Sequence, residues 1–235
     1  MIRPSAALCV IAFAATLSAC KPETPPVASA VPGLLIDCDL LKPRSLDGNA
    51  QANCRQPLPD SSGMSASFQF ADTADGQRTG MVGIAAADDT PEQTITYPAA
   101  GTVGLPLFLD LDSDGRADML VPQPGEDENV PYAVWQNTGS TPPFTLAGGV
   151  LGMEIVPVGD GIFEADKLID GNPAKTVWES SYYIFQDGQL VLIATSRVVL
   201  PEDGPPRCTV KDAGALAEAG LTLEAAQEKF CDSDD

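Results

Sequence analysis

The sequence predicts a mainly β protein: an antiparallel propeller-like or sandwich β domain with a short C-terminal helical hairpin. Three observations predict it. Apolar residues come in short runs, and the clearest, 65–70 (SASFQF), alternates with the period of two that marks a half-buried strand. Asp-Gly pairs, among them those at 75–76, 114–115, 160–161 and 187–188, recur along the chain, and Asp-Gly supplies the positive φ values that a tight hairpin turn needs. Beyond Cys208 the composition shifts to Ala, Leu and Glu, the strong helix formers.

In chain order, residues 1–19 read as a targeting segment. Arg3 supplies the positive start, and the apolar run 6–17 is too short to cross a bilayer, which takes roughly 20 residues. The run ends in Leu17-Ser18-Ala19-Cys20. That tetrapeptide resembles a bacterial lipobox, which implies cleavage before Cys20 and a lipid on its sulfur. Lys21 stands where inner-membrane retention would show Asp, so the expected address is the outer membrane, with the chain facing the periplasm. Residues 20–34 carry Pro22, Pro25, Pro26 and Pro32 among small residues and read as a semi-rigid tether.

A β domain is expected over 35–207. Strands are read at 65–70, 81–84, 105–111, 119–121 and 132–135. The clearest hairpin joins 181–185 to 190–193 through Asp187-Gly188, and 197–200 extends its second strand. On the first of these strands Tyr183 and Phe185 share one face, and Tyr182 and Ile184 the other. The Asp-Gly turns are too unevenly spaced to establish a repeat, although they are compatible with degenerate propeller-like blades. The tail, 208–235, is expected to form two helices, 212–220 and 222–230. Asp212 and Thr222 would cap their starts, Gly220 would end the first, and Leu216, Leu221 and Phe230 would face the body.

Four cysteines remain after Cys9 leaves with the signal and Cys20 takes the lipid: Cys38, Cys54, Cys208 and Cys231. An even number in an exported chain points to two disulfides, and four cysteines allow three pairings. The local pairs Cys38–Cys54 and Cys208–Cys231 are preferred, each worth roughly 3 kcal/mol in the chain-entropy model. Zinc is the weaker alternative, because the sequence has no CxxC and no histidine.

The chain carries 13 Lys and Arg against 33 Asp and Glu, a formal net charge of −20. Such a surface repels nucleic acid and anionic lipid headgroups. It suits a cation, a cationic protein, or plain solubility.

The chemistry concentrates in Asp110-Leu111-Asp112-Ser113-Asp114-Gly115-Arg116-Ala117-Asp118. Calcium is a hard cation that takes six to eight oxygens. Asp110, Asp112 and Asp114 would turn their carboxylates to one centre, Gly115 would permit the sharp turn, the Arg116 carbonyl would face the ion, and Asp118 would close the shell. The loop is not an EF-hand: Val121 stands where the bidentate Glu would be, and the flanks read as strands.

A DxDxDGxxD loop between strands resembles the calcium loops of FG-GAP and VCBS-type β-propeller repeats. Downstream, Tyr132-Ala-Val-Trp-Gln-Asn137-Thr-Gly139 resembles the turn that follows the loop in those repeats. The likeness covers about 105–145, one repeat's worth, with Trp135 read as core beside the loop. Lipobox, proline-rich tether, calcium loop and the 181–193 hairpin together look like a group of proteobacterial lipoproteins. Some members of that group are immunity proteins against the peptidoglycan-cleaving effectors of bacteria-killing type IV secretion systems. The resemblance implies a non-enzymatic inhibitor of a cell-wall hydrolase. The alternative is an FG-GAP-type adhesion or envelope-assembly module.

An enzyme is not expected. With no histidine, Ser-His-Asp triads, Cys-His dyads and His-ligated metals are excluded, and no GxSxG or P-loop is present. A carboxylate-based glycoside hydrolase remains formally open, without positive support. Partner-binding candidates are the acidic run Glu126, Asp127 and Glu128, which could steer a cationic protein, and the aromatics Trp178 and Tyr182.

Overall fold

A computed structural model describes residues 35–38, 53–100, 104–125, 129–172 and 175–231. The expected signal segment, Cys20 and the tether lie outside them, as does the acidic run 126–128. The described chain is mainly β, as expected, and its strands form three successive sheets.

The first sheet runs β1 (Ile36–Asp37), β2 (Cys54–Pro57), β3 (Ser65–Asp72), β4 (Arg78–Ala85) and β5 (Pro91–Pro98), each beside the next. Only β1 and β2 pair parallel; all other pairings among the described residues are antiparallel. The second sheet runs β6 (Leu107–Leu109), β7 (Asp118–Pro122), β8 (Val130–Asn137) and β9 (Phe144–Gly152). The third runs β10 (Glu154–Gly159), β11 (Ile162–Asn172), β12 (Lys175–Gln186), β13 (Gln189–Pro201) and β14 (Arg207–Asp212). Each sheet is a meander of sequence neighbours, as a propeller blade is, and they do not close into a barrel.

Of the Asp-Gly pairs at 75–76, 114–115, 160–161 and 187–188, three make hairpin turns. Gly76 turns β3 into β4 with φ 80°, Asp160-Gly161 turns β10 into β11 with φ 57° and 74°, and Asp187-Gly188 turns β12 into β13 with φ 51° and 74°. The fourth lies in the acidic loop between β6 and β7. The expected strand 105–111 is shorter than the sequence suggested, because the chain leaves the sheet after Leu109 to form that loop.

The sheets pack face to face. Phe68, Val82, Ile84, Ile95 and Tyr97 of the first sheet meet Phe108, Met119, Val121 and Phe144 of the second. Leu120, Val134 and Val150 of the second meet Ile155, Phe163 and Ala165 of the third. The middle sheet is therefore covered on both sides. Every residue of β7 is buried, and this explains why Met119-Leu120-Val121 reads as a continuous apolar run without alternation. Trp135 is a partly buried member of the first core.

Amide side chains tie the sheets together. Gln93 of β5 donates to the Phe144 carbonyl (2.8 Å) and accepts from its N–H (2.9 Å). Asn129 treats Leu168 of β11 the same way, at 3.2 and 3.1 Å. Each imitates one more pair of ladder bonds.

Both local disulfides are present: Cys38–Cys54, with Cα atoms 5.0 Å apart, and Cys208–Cys231, at 5.6 Å. The tail differs in part from expectation. Residues 207–212 make a fifth strand of the third sheet, and Asp212 ends it, accepting the Gly214 N–H at 2.6 Å instead of capping a helix. The first expected helix is a single 3-10 turn, Leu216–Ala219, ended as expected by Gly220 at φ 71°. The second is α1 (Leu223–Cys231), and Thr222 Oγ1 accepts the Ala225 N–H at 3.2 Å as its cap.

The helix lies over the outer face of the third sheet. Leu216 and Ala226 are buried there with Val210 and Ala194, and Leu221 and Phe230 pack on them. Phe230 stacks on Tyr182 with ring centroids 3.7 Å apart. Gln227 accepts the Val210 N–H at 3.0 Å and so occupies a backbone group of the edge strand β14.

Two side chains make testable statements about stability. Tyr97 lies against Gly80, whose missing Cβ leaves room for the ring, and its buried hydroxyl has no hydrogen-bond partner among the described residues. Tyr97→Phe removes an unsatisfied polar group and keeps the ring, so it is expected to stabilise by about 1 kcal/mol. A denaturant midpoint equal to or below wild type would contradict this.

Glu164 is the second. Burial pushes its carboxyl up to about 7; a hydrogen bond with Asp166 and that residue's charge add to the rise, while bonds from Ser180 and Tyr182 oppose it. A carboxyl raised on folding contributes stability that is full below its unfolded value and lost as pH rises towards 7. Glu164→Gln is therefore expected to gain on wild type between about pH 5 and pH 8, by on the order of 1 kcal/mol after allowance for its partial exposure. Thermal melts at the two pH values read this directly, and a gain independent of pH would refute it.

Candidate metal centre

The acidic loop joins two paired strands of the middle sheet, β6 and β7. Its course needs backbone conformations that most residues resist: Ser113 has φ 61° and Gly115 φ 85°. With the chain turned this way, Asp110, Asp112 and Asp114 converge, and one carboxylate oxygen from each lies within 4.8 Å of the others.

Backbone N–H groups help to hold the carboxylates inward. Asp110 accepts from Asp114 (3.1 Å) and Gly115 (3.0 Å), Asp112 from Asp114 (3.3 Å), and Asp114 from Arg116 (2.8 Å). Gln136 of β8 donates to Asp112 Oδ2 at 3.1 Å. Burial pushes the Asp112 carboxyl up, and the neighbouring charges of Asp114 and Asp110 push it further, against the Gln136 hydrogen bond.

Asp118 does something else. It is 1% exposed and is not one of the three converging carboxylates. Its Oδ2 accepts the Leu111 N–H at 3.1 Å and its Oδ1 the Asn137 N–H at 2.8 Å, so it pins the end of the loop to the end of β8. Burial lifts its carboxyl to about 7 despite those bonds, and repulsion from Asp112 and Asp114 adds to the rise. Asn137 completes the clamp by donating to the Ala117 carbonyl at 3.2 Å. The aromatic–Asn–Gly segment thus fastens the loop to β8, and Asn137 Oδ1 also accepts the Gly139 N–H at 3.2 Å, which sets the segment's own turn.

Arg116 was expected to contribute its carbonyl. Its side chain is also engaged, with an ion pair to Asp114 and an Nε–H that donates to the Asn137 carbonyl at 3.0 Å. Sequence reading missed two participants. Asp60, from the loop before β3, accepts the Ala117 N–H at 2.9 Å. Burial pushes the Asp60 carboxyl up, but hydrogen bonds from Ala117 and Ser62 and the charge of Arg116 outweigh it and leave it below its ordinary value. Gln136 is the other. Neither carries a local sequence signal, because Gln136 reaches the loop through the pairing of β7 with β8 and Asp60 through the packing of the first sheet on the second.

The donor set suits a hard cation. It offers carboxylate oxygens and no sulfur or imidazole, which favours calcium over zinc. The arrangement competes with Arg116, whose guanidinium already neutralises part of Asp114. Asp110, Asp112 and Asp114 would hold the ion, and the ion would remove their mutual repulsion.

Of the partner-binding candidates, Glu126, Asp127 and Glu128 lie outside the described residues. Trp178 is half-buried and lines a cavity on the third sheet. Tyr182 is a correction: at 2% exposure, stacked under Phe230 and hydrogen-bonded to Glu164 Oε1 at 3.2 Å, it belongs to the core and presents no surface to a partner.

No protein-family model and no curated protein matches the sequence. Among solved structures, the chain is similar to one described as a Xanthomonas type IV secretion system related protein, at 13% identity and a TM-score of 0.40, over 70% of this chain and 90% of that one. At that level of likeness nothing about activity passes from that protein to this one.

Proposed function

We propose that this chain is a lipid-anchored periplasmic binding protein, stiffened by calcium, that inhibits a peptidoglycan-cleaving effector and so acts as an immunity protein. The observation that carries the reading is the convergence of Asp110, Asp112 and Asp114 in a loop clamped between strands of the middle sheet. A cation there would hold β6, β7 and β8 in one rigid frame, which is what a protein that docks onto another needs. The lipobox-like Leu17–Cys20 segment and two disulfides support an oxidising compartment outside the cytoplasm. The choice of a cell-wall hydrolase as the partner rests on the sequence arrangement, and the strong negative charge suits a cationic one.

The test is capture from periplasmic and secreted fractions by the soluble chain from Lys21 onward, with calcium present, followed by a wall-lysis assay. The expected result is a captured hydrolase whose lytic activity falls as the protein is added. Capture of a surface polysaccharide or matrix protein, or of a hydrolase left fully active, would favour the adhesion or envelope-assembly reading.

A further inference from the structure

The outer face of the third sheet carries a cavity of about 520 Å³, away from the metal loop and lined by Met153, Glu154, Asp166 and Trp178. Strand register explains the lining. Asp166 of β11 stands directly opposite Glu154 of β10, and Trp178 of β12 pairs with Leu168, one step along the same face. Like charges directly opposite one another destabilise a strand pair, so this pairing is locally unfavourable as it stands.

No cation among the described residues compensates it. Among the described residues no lysine or arginine forms an ion pair with Glu154 or Asp166; Lys167 points to the other face, where it pairs with Glu179. Asp166 Oδ1 is fully buried yet has no hydrogen-bond partner among the described residues. Asp166 shares a hydrogen bond with Glu164 on the same face, and its unsatisfied oxygen is a costly arrangement that a donor in the cavity would relieve once the carboxylate turns to meet it.

The lining also selects the ligand. The carboxylates accept hydrogen bonds and donate none when ionised, whereas ammonium and guanidinium groups only donate. The Trp178 indole offers an aromatic face that attracts a cation, and Met153, 41% exposed, offers a polarisable apolar edge to the stem behind it. We infer that this cavity is a binding site for an organic cation, an alkylammonium or guanidinium group held by Asp166 and Glu154 against Trp178. The site is separate from the metal loop, so either one can fail without the other.

The experiment follows the indole N–H signals of the mature, isotopically labelled chain by NMR. The chain has two tryptophans, and Trp178→Phe assigns them. Butylguanidinium is expected to shift the Trp178 signal saturably while Trp135 stays still. Butylurea, its neutral isostere, is expected to leave Trp178 in place. Asp166→Asn is expected to weaken binding at least tenfold; if that variant does not fold, Glu154→Gln, at the exposed rim, is expected to weaken it severalfold. A side chain of a protein partner as the natural source predicts that acetyl-Gly-Gly-Arg-Gly-Gly-amide binds at least as well as butylguanidinium; a free small molecule predicts that the peptide is excluded. The absence of a saturable Trp178 shift, an equal response to butylurea, or affinity unchanged in the folded carboxyl variants would each overturn the assignment.

Discussion

Calcium added to the EGTA-treated mature chain is expected to raise its melting temperature, and Asp112→Ala to abolish that rise. A ligand that binds only the folded state stabilises it by about 2.7 kcal/mol when present at 100 times its dissociation constant. In a domain of this size that is roughly 5–10 °C. Asp112 is the decisive position because burial and the charges of Asp114 and Asp110 push its carboxyl up while Gln136 of β8 orients it. In EGTA the variant should melt close to wild type: it loses the bonds from Gln136 and the Asp114 N–H but also the repulsion. If Asp112→Ala kept the full calcium increment, the trio would not be the calcium site. Magnesium is expected to give a smaller increment, since it dehydrates reluctantly and demands near-ideal octahedral geometry.

Replacing Cys208 and Cys231 with serine is expected to cost about 3 kcal/mol and to loosen the tail before the sheets unfold. The disulfide closes a separation of 23 residues, and the chain-entropy model assigns such a loop that order of stabilisation. Helix α1 spans only nine residues, too few to stand alone in water. It holds through the disulfide, the Phe230–Tyr182 stack and the Lys229 ammonium, which donates to Asp160 Oδ2 at 3.0 Å. Hydrogen exchange reads the outcome: amides of α1 and β14 should exchange faster in the variant while β7 and β8 keep their protection. Equal protection of α1 in variant and wild type would mean that packing alone secures the helix.

Much of the fold was legible because its signals are local. The β12–β13 hairpin follows from alternation and one Asp-Gly pair, and the separation of Tyr183 and Phe185 from Tyr182 and Ile184 follows from the period of a strand; the two sets do join different cores. Two of the strands that sequence reading missed, β9 and β14, lack such signals. β9 contains Gly148, Gly149 and Gly152, poor strand formers, and a Cβ at Gly148 would crowd the Leu190 side chain of the third sheet at 3.3 Å. β14 was absorbed into the helical tail because the shift in composition begins beside Cys208; it pairs with β13 only through contacts that its own residues do not announce.

The acidic loop divides the same way. The sequence by itself determined that Asp110, Asp112 and Asp114 would converge, since alternate acids and a glycine dictate a tight turn of local chain. It also favoured the local disulfide pairs, where short separation favours closure, and the structure selects them among the three possible pairings. Only the tertiary structure decided that Asp118 serves as a clamp, that Asp60 and Gln136 join the loop, and that Tyr182 is core. The reason is physical: each of those roles depends on which strand lies alongside and what covers its face. Strand pairing brings together residues tens of positions apart, and no local pattern records where they meet.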